Sequence, residues 1–399
     1  MTAYDIAVVG GGPAGLSAAY AAAKAGGNVI LLEKDESIGH SIRTSGVTWI
    51  DEIEKLGIKS EHYNPIKNYS FLSSSNEVTI RGNTPKACVL NVRSTYQHLA
   101  MLAAEAGAEI MVRSRVTNVV TTPEDRRICG LKAKTPRGDT VIDCKIVIDA
   151  SGFSSYIARC LGIIREWRRY GIGAEYECYC ENLDQETWVL MVGKDYSDAG
   201  YAWIFPVSKN KARIGVGVGR PESYSDPLKK LNHIMDKKLR PLNEIGKIQP
   251  IELHYGFIPN EGPRTPMVYD RLLLVGDSAG QSNPLVLEGI RYAIEYGRLA
   301  GNIAIKSVSE DRSKGLAEYE KIWREKNQAM ITSALRVQKR WIGLSDEEWD
   351  REIDILREMS ADEFVDFIKA KFNLGKLMRF ALNHPKLATR QLLGLVTRS

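Results

Sequence analysis

The sequence predicts an α/β protein, α+β overall. It has a Rossmann-like nucleotide-binding domain, an inserted and mostly antiparallel sheet, and a helical C-terminal region. Three observations carry this. The β-branched run Ile6-Ala7-Val8-Val9 feeds the glycine turn Gly10-Gly11-Gly12-Pro13-Ala14-Gly15 and then an alanine-rich stretch at helical spacing. Between Gly173 and Gly219 the pattern alternates and is rich in aromatics, as in half-buried strands. From Ser313 onward nearly every signal is helical.

The opening unit reads as strand, turn, helix. Gly10 permits the tight turn, Gly12 admits a pyrophosphate to the backbone, and Gly15 lets the helix pack against the strand. Free N–H groups at the helix start, with their partial positive charge, suit the phosphates. A second strand, Val29-Ile30-Leu31-Leu32, ends in Glu33, where an acid that holds a ribose hydroxyl is expected. Glu33 argues against a 2′-phosphate there, and the fingerprint alone does not separate NAD from FAD.

Lys34 to Gly46 is polar and glycine-punctuated, a loop passing the cofactor. A short helix is expected over Asp51–Leu56, and a hairpin over Tyr69–Leu72 and Glu77–Arg81. A helix over Ser94–Ala106 stops at Gly107. Strands follow at 110–112 and 116–120, then a hairpin of Leu131–Thr135 and Thr140–Asp143, then a separate buried strand, Ile146–Ala150. Trp188–Val192, Tyr201–Pro206 and Arg213–Val218 supply the second sheet, whose aromatics suit an apolar pocket wall or a packed core. Arg271–Val275 returns to a buried strand, with a turn and a helix from about Glu288 to Val308.

The 399 residues allow two or three domains, and apolar and charged contents of 44% and 26% are those of an ordinary globular protein. No apolar run reaches membrane-spanning length and no signal peptide is visible, so a cytoplasmic location is expected. Six scattered cysteines lack zinc-ligand spacing, and no metal site is expected. Cys178 and Cys180, two apart in a strand, are read as buried thiols on one face, with a redox pair as the minor alternative. Residues 367–399 carry seven basic and no acidic residues. That exceeds the net charge of +5, so the rest of the chain is slightly acidic and nucleic-acid binding by the body is disfavoured.

Three segments together carry a resemblance: Gly10–Gly15 with Glu33; Asp149-Ala150-Ser151-Gly152-Phe153-Ser154-Ser155 followed by Arg159; and Leu274-Val275-Gly276-Asp277-Ser278-Ala279-Gly280 before a helix. They resemble flavoproteins with a para-hydroxybenzoate-hydroxylase-like fold. Within these the chain is most similar to the geranylgeranyl reductase family, through Tyr201-Ala202-Trp203-Ile204-Phe205-Pro206, the strand Ile214–Gly219, Val89–Arg93 and Tyr319-Glu320-Lys321. The resemblance covers roughly residues 4 to 330.

The resemblance implies FAD. Gly10, Gly12, Pro13, Ala14 and Gly15 would face or frame the pyrophosphate, and Glu33 and Lys34 the adenosine ribose. Arg43, Thr44, Ser45 and Val47 would pass beside the cofactor. Arg93, Val116 and Gly152 would contact it, and Asp277 would hold the ribityl chain. Gly289 and Ile290 would lie at the flavin's pyrimidine end, where a helix N-terminus stabilises negative charge. The implied division is FAD binding by 1–65, 85–165 and 262–310, a substrate sheet of 66–84 and 166–261, and a helical region, 311–399. Two departures stand out. Thr44 replaces a frequent cysteine, and Leu287-Glu288 replaces glycine-rich sequence after Pro284.

The function implied is reduction of carbon–carbon double bonds in an isoprenoid chain of a prenyl lipid, by hydride from reduced FAD. Tyr201, Trp203, Phe205 and Leu287 are the expected pocket wall. The proton donor is not readable. Glu288, Tyr201 and Trp203 are candidates, Glu288 competing with a reading as an exposed glutamate at a helix start. NAD(P)H or a ferredoxin-like protein would supply electrons. The segment 370–399, with Leu374, Leu377, Met378, Ala381 and Leu382 at helical spacing among basic residues, either lies on an anionic membrane surface or docks on the protein. The competing functions are an NAD(P)H-dependent flavin monooxygenase or halogenase, and a non-redox FAD-containing cyclase or lipid-binding protein.

Overall fold

The computed structural model describes residues 3–124, 126–310, 313–370 and 384. Its first sheet runs Val268–Tyr269, Leu272–Leu274, Gly138–Asp149, Tyr4–Val9, Val29–Leu32, Glu109–Met111. All neighbours are parallel except the first pair. The central segments of these strands, 6–9, 29–32, 146–148 and 272–274, are apolar and buried because helices cover the sheet. The late strand Leu272–Leu274 pairs in this sheet, so the chain leaves the nucleotide-binding layer and comes back to complete it.

Close packing at glycines joins the helices. A β-carbon at Gly297 or Gly301 of the helix Ile290–Ser309 would lie 2.4 or 2.3 Å from the carbonyl oxygens of Ala14 and Ala18 in the helix Pro13–Lys24. The buried Asp149 carboxylate fastens two of the sequence motifs together. It accepts hydrogen bonds from Ser151 N and Oγ, Ile157 N, Ala158 N and, at 3.3 Å, Ser278 Oγ.

The second sheet has seven strands, in the order Ile248–Pro259, Tyr170–Cys180, Lys211–Arg220, Gly200–Ser208, Thr187–Met191, Asn68–Leu72, Glu77–Arg81. Every pair is antiparallel except Thr187–Met191 with Asn68–Leu72. A three-stranded sheet of Val47–Trp49, Ala87–Leu90 and Tyr63–Ile66 links the two. The helices Asp346–Arg357 and Ala361–Ile368 each start with a Ser–Glu capping box; the first adds Ile353 and Leu356, the second Phe364 and Ile368, to the cluster of Tyr69, Phe71 and Trp188.

Several expected elements differ. Thr140–Asp143 and Ile146–Ala150 are one strand, Gly138–Asp149. Its first half pairs antiparallel with Ile128–Thr135 and its second half parallel with Tyr4–Val9, so no turn separates them. Only Ile50–Ile53 of the short helix forms before turns lead to Gly57. The helix expected from Glu288 begins at Ile290, because Glu288 bridges to Asn283 in a tight loop. Cys178 and Cys180 are buried and free; burial pushes their thiols up to about 12 and about 11, which leaves them protonated and inert.

Candidate functional site

One cavity of about 830 Å³ reaches from Gly10 to the aromatic face of the second sheet. At its polar end lies the N-terminus of the helix Pro13–Lys24, which no side chain caps. A β-carbon on Gly12 would meet nothing within 4 Å, so the backbone there is open to the cavity. Glu33 stands beside it, accepting from Gly11 N at 2.6 Å and Asp35 N at 2.8 Å. Each carboxylate oxygen keeps a lone pair for a hydroxyl. Val116, Arg115 and Ser114 complete this end, and Gly152 lines it.

At the middle, Asp277 faces the cavity from the turn after Leu272–Leu274. Burial alone pushes its carboxyl up to about 6. A pKa above the unfolded value adds stability below about pH 4 that is lost as pH rises through 6. In cofactor-free protein, Asp277→Asn should therefore flatten the decline of stability between about pH 4 and pH 7. Urea midpoints across that range measure it, and an unchanged slope would place the carboxyl in water. Gly289 and Ile290 line the cavity opposite, where the helix Ile290–Ser309 starts with no side-chain cap.

The apolar end is built on cross-strand rows. Tyr201, Gly217, Gly173 and Gly256 form one row; Trp203, Gly215, Glu175 and His254 the next; Phe205, Arg213, Glu177 and Glu252 the third. All share one face, since side chains alternate along strands. The glycines give room: a β-carbon on Gly215 would sit 2.4 Å from the Trp203 ring, and one on Gly256 2.4 Å from Arg43 O. Gly171, a neighbour on the same face, lies under Leu287. Leu287 lines the cavity with a left-handed φ of 56°, in a loop position that glycine adopts more easily. Tyr201 donates from its hydroxyl to Val286 O at 3.0 Å.

Most residues expected at the site line this cavity: Gly10, Gly12, Pro13, Ala14, Glu33, Lys34, Arg43, Thr44, Ser45, Val116, Gly152, Asp277, Gly289 and Ile290, with Tyr201, Trp203 and Leu287. Others lie elsewhere. Gly15 packs against Gly10, and Val47 begins a strand of the small sheet. Arg93 donates to Gly39 O and pairs with Glu252. Phe205 is stacked behind Trp203 in the core, one row further from the cavity.

Glu288 is not an exposed glutamate at a helix start. It is buried, accepts from Thr48 Oγ1 and is clamped by Arg291 Nε at 2.9 and 3.0 Å. Arg291 Nη1 also meets Glu52 at 2.7 Å, and Lys369 pairs with Asp51 and Glu52. Lys369, counted with the basic tail, is thus 5% exposed in its side chain. The expected membrane segment beyond Ala370 lies outside the described residues apart from His384, which pairs with Glu363.

Sequence reasoning missed Glu175, Arg213 and His254. Buried Arg213 donates to Ser45 O and Leu90 O and pairs with Glu177, holding the early loop against the sheet. The signal was there: Glu175, Glu177 and Arg213 interrupt otherwise apolar or glycine-rich strands, and a buried charge needs a partner.

The donor set fits FAD. An open helix start, a ribose-competent carboxylate and a half-buried Asp277 facing the cavity follow one another along a single cavity. Residues 5–213 match the model of FAD-dependent oxidoreductases, and residues 170–258 that of the geranylgeranyl reductase catalytic domain. The digeranylgeranylglycerophospholipid reductase of Methanocaldococcus jannaschii is 32% identical over 364 residues, covering 89% of this chain and 91% of its own. A protein of the same name from Methanothermobacter thermautotrophicus (reductase 2) is 29% identical, covering 96% and 97%. A geranylgeranyl bacteriochlorophyll reductase-like protein of Thermoplasma acidophilum superposes with a TM-score of 0.85 at 24% identity, covering 98% of both chains, a likeness of fold. The brominase Bmp2 shares the fold more distantly, with a TM-score of 0.69 at 19% identity over 98% and 99% of the chains. The chain is an FAD-dependent oxidoreductase and belongs to the geranylgeranyl reductase family.

Proposed function

We propose that the protein reduces carbon–carbon double bonds in the geranylgeranyl-type chain of a prenyl lipid. One observation carries this: the cavity that suits a dinucleotide at one end continues, unbroken, into a trough lined by Tyr201, Trp203, Leu190, Trp341 and Trp349. When bound, reduced FAD supplies the hydride. The chain's own residues do the rest. The start of the helix Pro13–Lys24 and Glu33 anchor the adenine half, and Asp277 accepts ribityl hydroxyls. The start of the helix Ile290–Ser309 presents partial positive charge where reduced flavin is negative. Leu285, Leu287 and Trp203 exclude water from the place where chain and cofactor meet.

NAD(P)H or a ferredoxin-like protein serves as electron donor in this reading, and the segment 370–399 meets the membrane surface that holds the lipid. No helix among the described residues is long and apolar enough to cross a membrane. Incubating dithionite-reduced protein with a geranylgeranyl lipid tests the activity by mass spectrometry. The lipid should gain the mass of two hydrogens per reduced bond. An unchanged mass with fully reduced protein would overturn the reading and favour a monooxygenase or a lipid-binding role.

A further inference from the structure

Reducing an isolated double bond consumes a proton as well as a hydride. Of the candidate donors, Glu288 is locked to Arg291 and does not line the cavity, the Tyr201 hydroxyl donates to Val286 O, and the Trp203 indole N–H donates to Glu175. A different set of groups does reach the wall. Glu175 lines the cavity, with its Oε1 3.0 Å from His254 Nδ1 and its Oε2 3.0 Å from the Trp203 indole N–H. His254 is 3% exposed. Its Nε2 is buried without a hydrogen bond and faces Glu252 Oε1 at 3.5 Å. Glu252, with 35% of its side chain exposed, pairs with the outer Arg93. A buried imidazole therefore stands between two carboxylates, one at the surface and one at the cavity.

We propose that Glu252, His254 and Glu175 form a proton relay from solvent to the cavity, with Glu175 as the acid that protonates the double bond. The inference rests on the reductase reading above. The Glu175 carboxyl gives its proton to one alkene carbon while the other receives hydride from the reduced cofactor. The π bond is replaced by two C–H bonds; the alkene is reduced and the cofactor oxidised. Before each transfer Glu175 is charged with that proton by His254 Nδ1, and His254 Nε2 takes one from the Glu252 side.

The geometry suits each part. Glu175 lies one row, about 7 Å along the strand, from Gly173 and Gly256. Gly256 touches the Arg43 carbonyl of the loop beside the cofactor site. Arg213 Nε, 3.8 Å from Glu175, and the Trp203 N–H stabilise the carboxylate left after donation. The relay requires Glu252, half-exposed and paired with Arg93, to shift its side chain enough to close the 3.5 Å gap to His254 Nε2. His254 and Glu252 act through Glu175 and are positioning residues; Glu175 is the catalytic one.

His254→Gln and Glu252→Gln test this, the second at a half-exposed site where folding is not at stake. Both proteins are loaded with FAD, reduced anaerobically with dithionite and mixed with a geranylgeranyl lipid. Flavin re-oxidation should slow by about 10²- to 10⁴-fold in His254→Gln, the usual worth of a positioned acid. It should slow by less in Glu252→Gln, with a larger solvent deuterium isotope effect. Lipid affinity, read from tryptophan emission in cofactor-free protein, should stay within about twofold of the parent, as expected if the pocket wall is intact. Re-oxidation at the parent rate in both variants would overturn the relay, and so would a loss matched by an equal loss of lipid affinity. If the unaltered protein itself fails to re-oxidise with lipid, the reductase reading falls first and the relay with it.

Discussion

Replacing Arg291 with methionine should cost about 3–5 kcal/mol of folding stability, because it strands the buried carboxylate of Glu288 and leaves half-buried Glu52 to Lys369. Burial already pushes the Glu288 carboxyl up against the pull of Arg291. With the guanidinium gone, the protein must hold an uncompensated charge or take up a proton. Urea unfolding at neutral pH measures the loss. Adding Glu288→Gln to Arg291→Met should return a substantial part of it, since the remaining amide carries no charge. A loss below about 1 kcal/mol in the single variant would mean that water reaches this cluster and screens it. The network also ties Lys369, just past the helix Ala361–Ile368, to Asp51 and Glu52. The same variant should therefore loosen the attachment of the helix Ala361–Ile368, visible as faster amide exchange there.

Gly15→Ala should abolish FAD retention. Its β-carbon would lie 2.0 Å from the Gly10 carbonyl oxygen and 3.2 Å from Ala150 Cβ. Neither the turn nor the strand end can yield as a flexible side chain would. The helix start must move away from the turn, and the N–H groups meant for the pyrophosphate move with it. Overpacking of this kind costs about 1–3 kcal/mol in stability. Absorbance near the flavin band in purified protein, and thermal unfolding with added FAD, report the two effects. Normal flavin content would show that the turn relaxes without losing its phosphate geometry. Gly12→Ala makes the control for crowding within the protein, because a β-carbon there meets nothing within 4 Å.

The parallel sheet, its glycine turn and the return to it through Leu272–Asp277 were legible, because local signals specify each: apolar strands, turn glycines and an acid at the end of a strand. The aromatic sheet was legible as a sheet. Its order was not: the resemblance put 66–84 in this sheet, but no local pattern encodes the parallel pairing of Asn68–Leu72 with Thr187–Met191. Phe205 shows a second limit. It shares a face with Tyr201 and Trp203, as strand alternation says, yet it lies one row further along, against Arg213 rather than over the glycines. Glu288 shows a third. A glutamate just before a helix reads as solvent-facing, and only the three-dimensional approach of Thr48, Glu52 and Lys369 makes it an interior charge. His254 gave no signal at all on its own strand, because its meaning comes from Glu175 across the ladder.

The glycine rows under Trp203 have one more effect. Main chain lines the cavity at Gly171, Gly173, Gly217 and Gly256, with Leu287 and the Trp203 ring packed over part of it. Main chain held in a sheet has no rotamers left to freeze. A flexible prenyl chain gives up much torsional freedom when it is threaded into place, and each ordered side chain in the receiving wall would add to that loss. Here the host's share is already spent in folding.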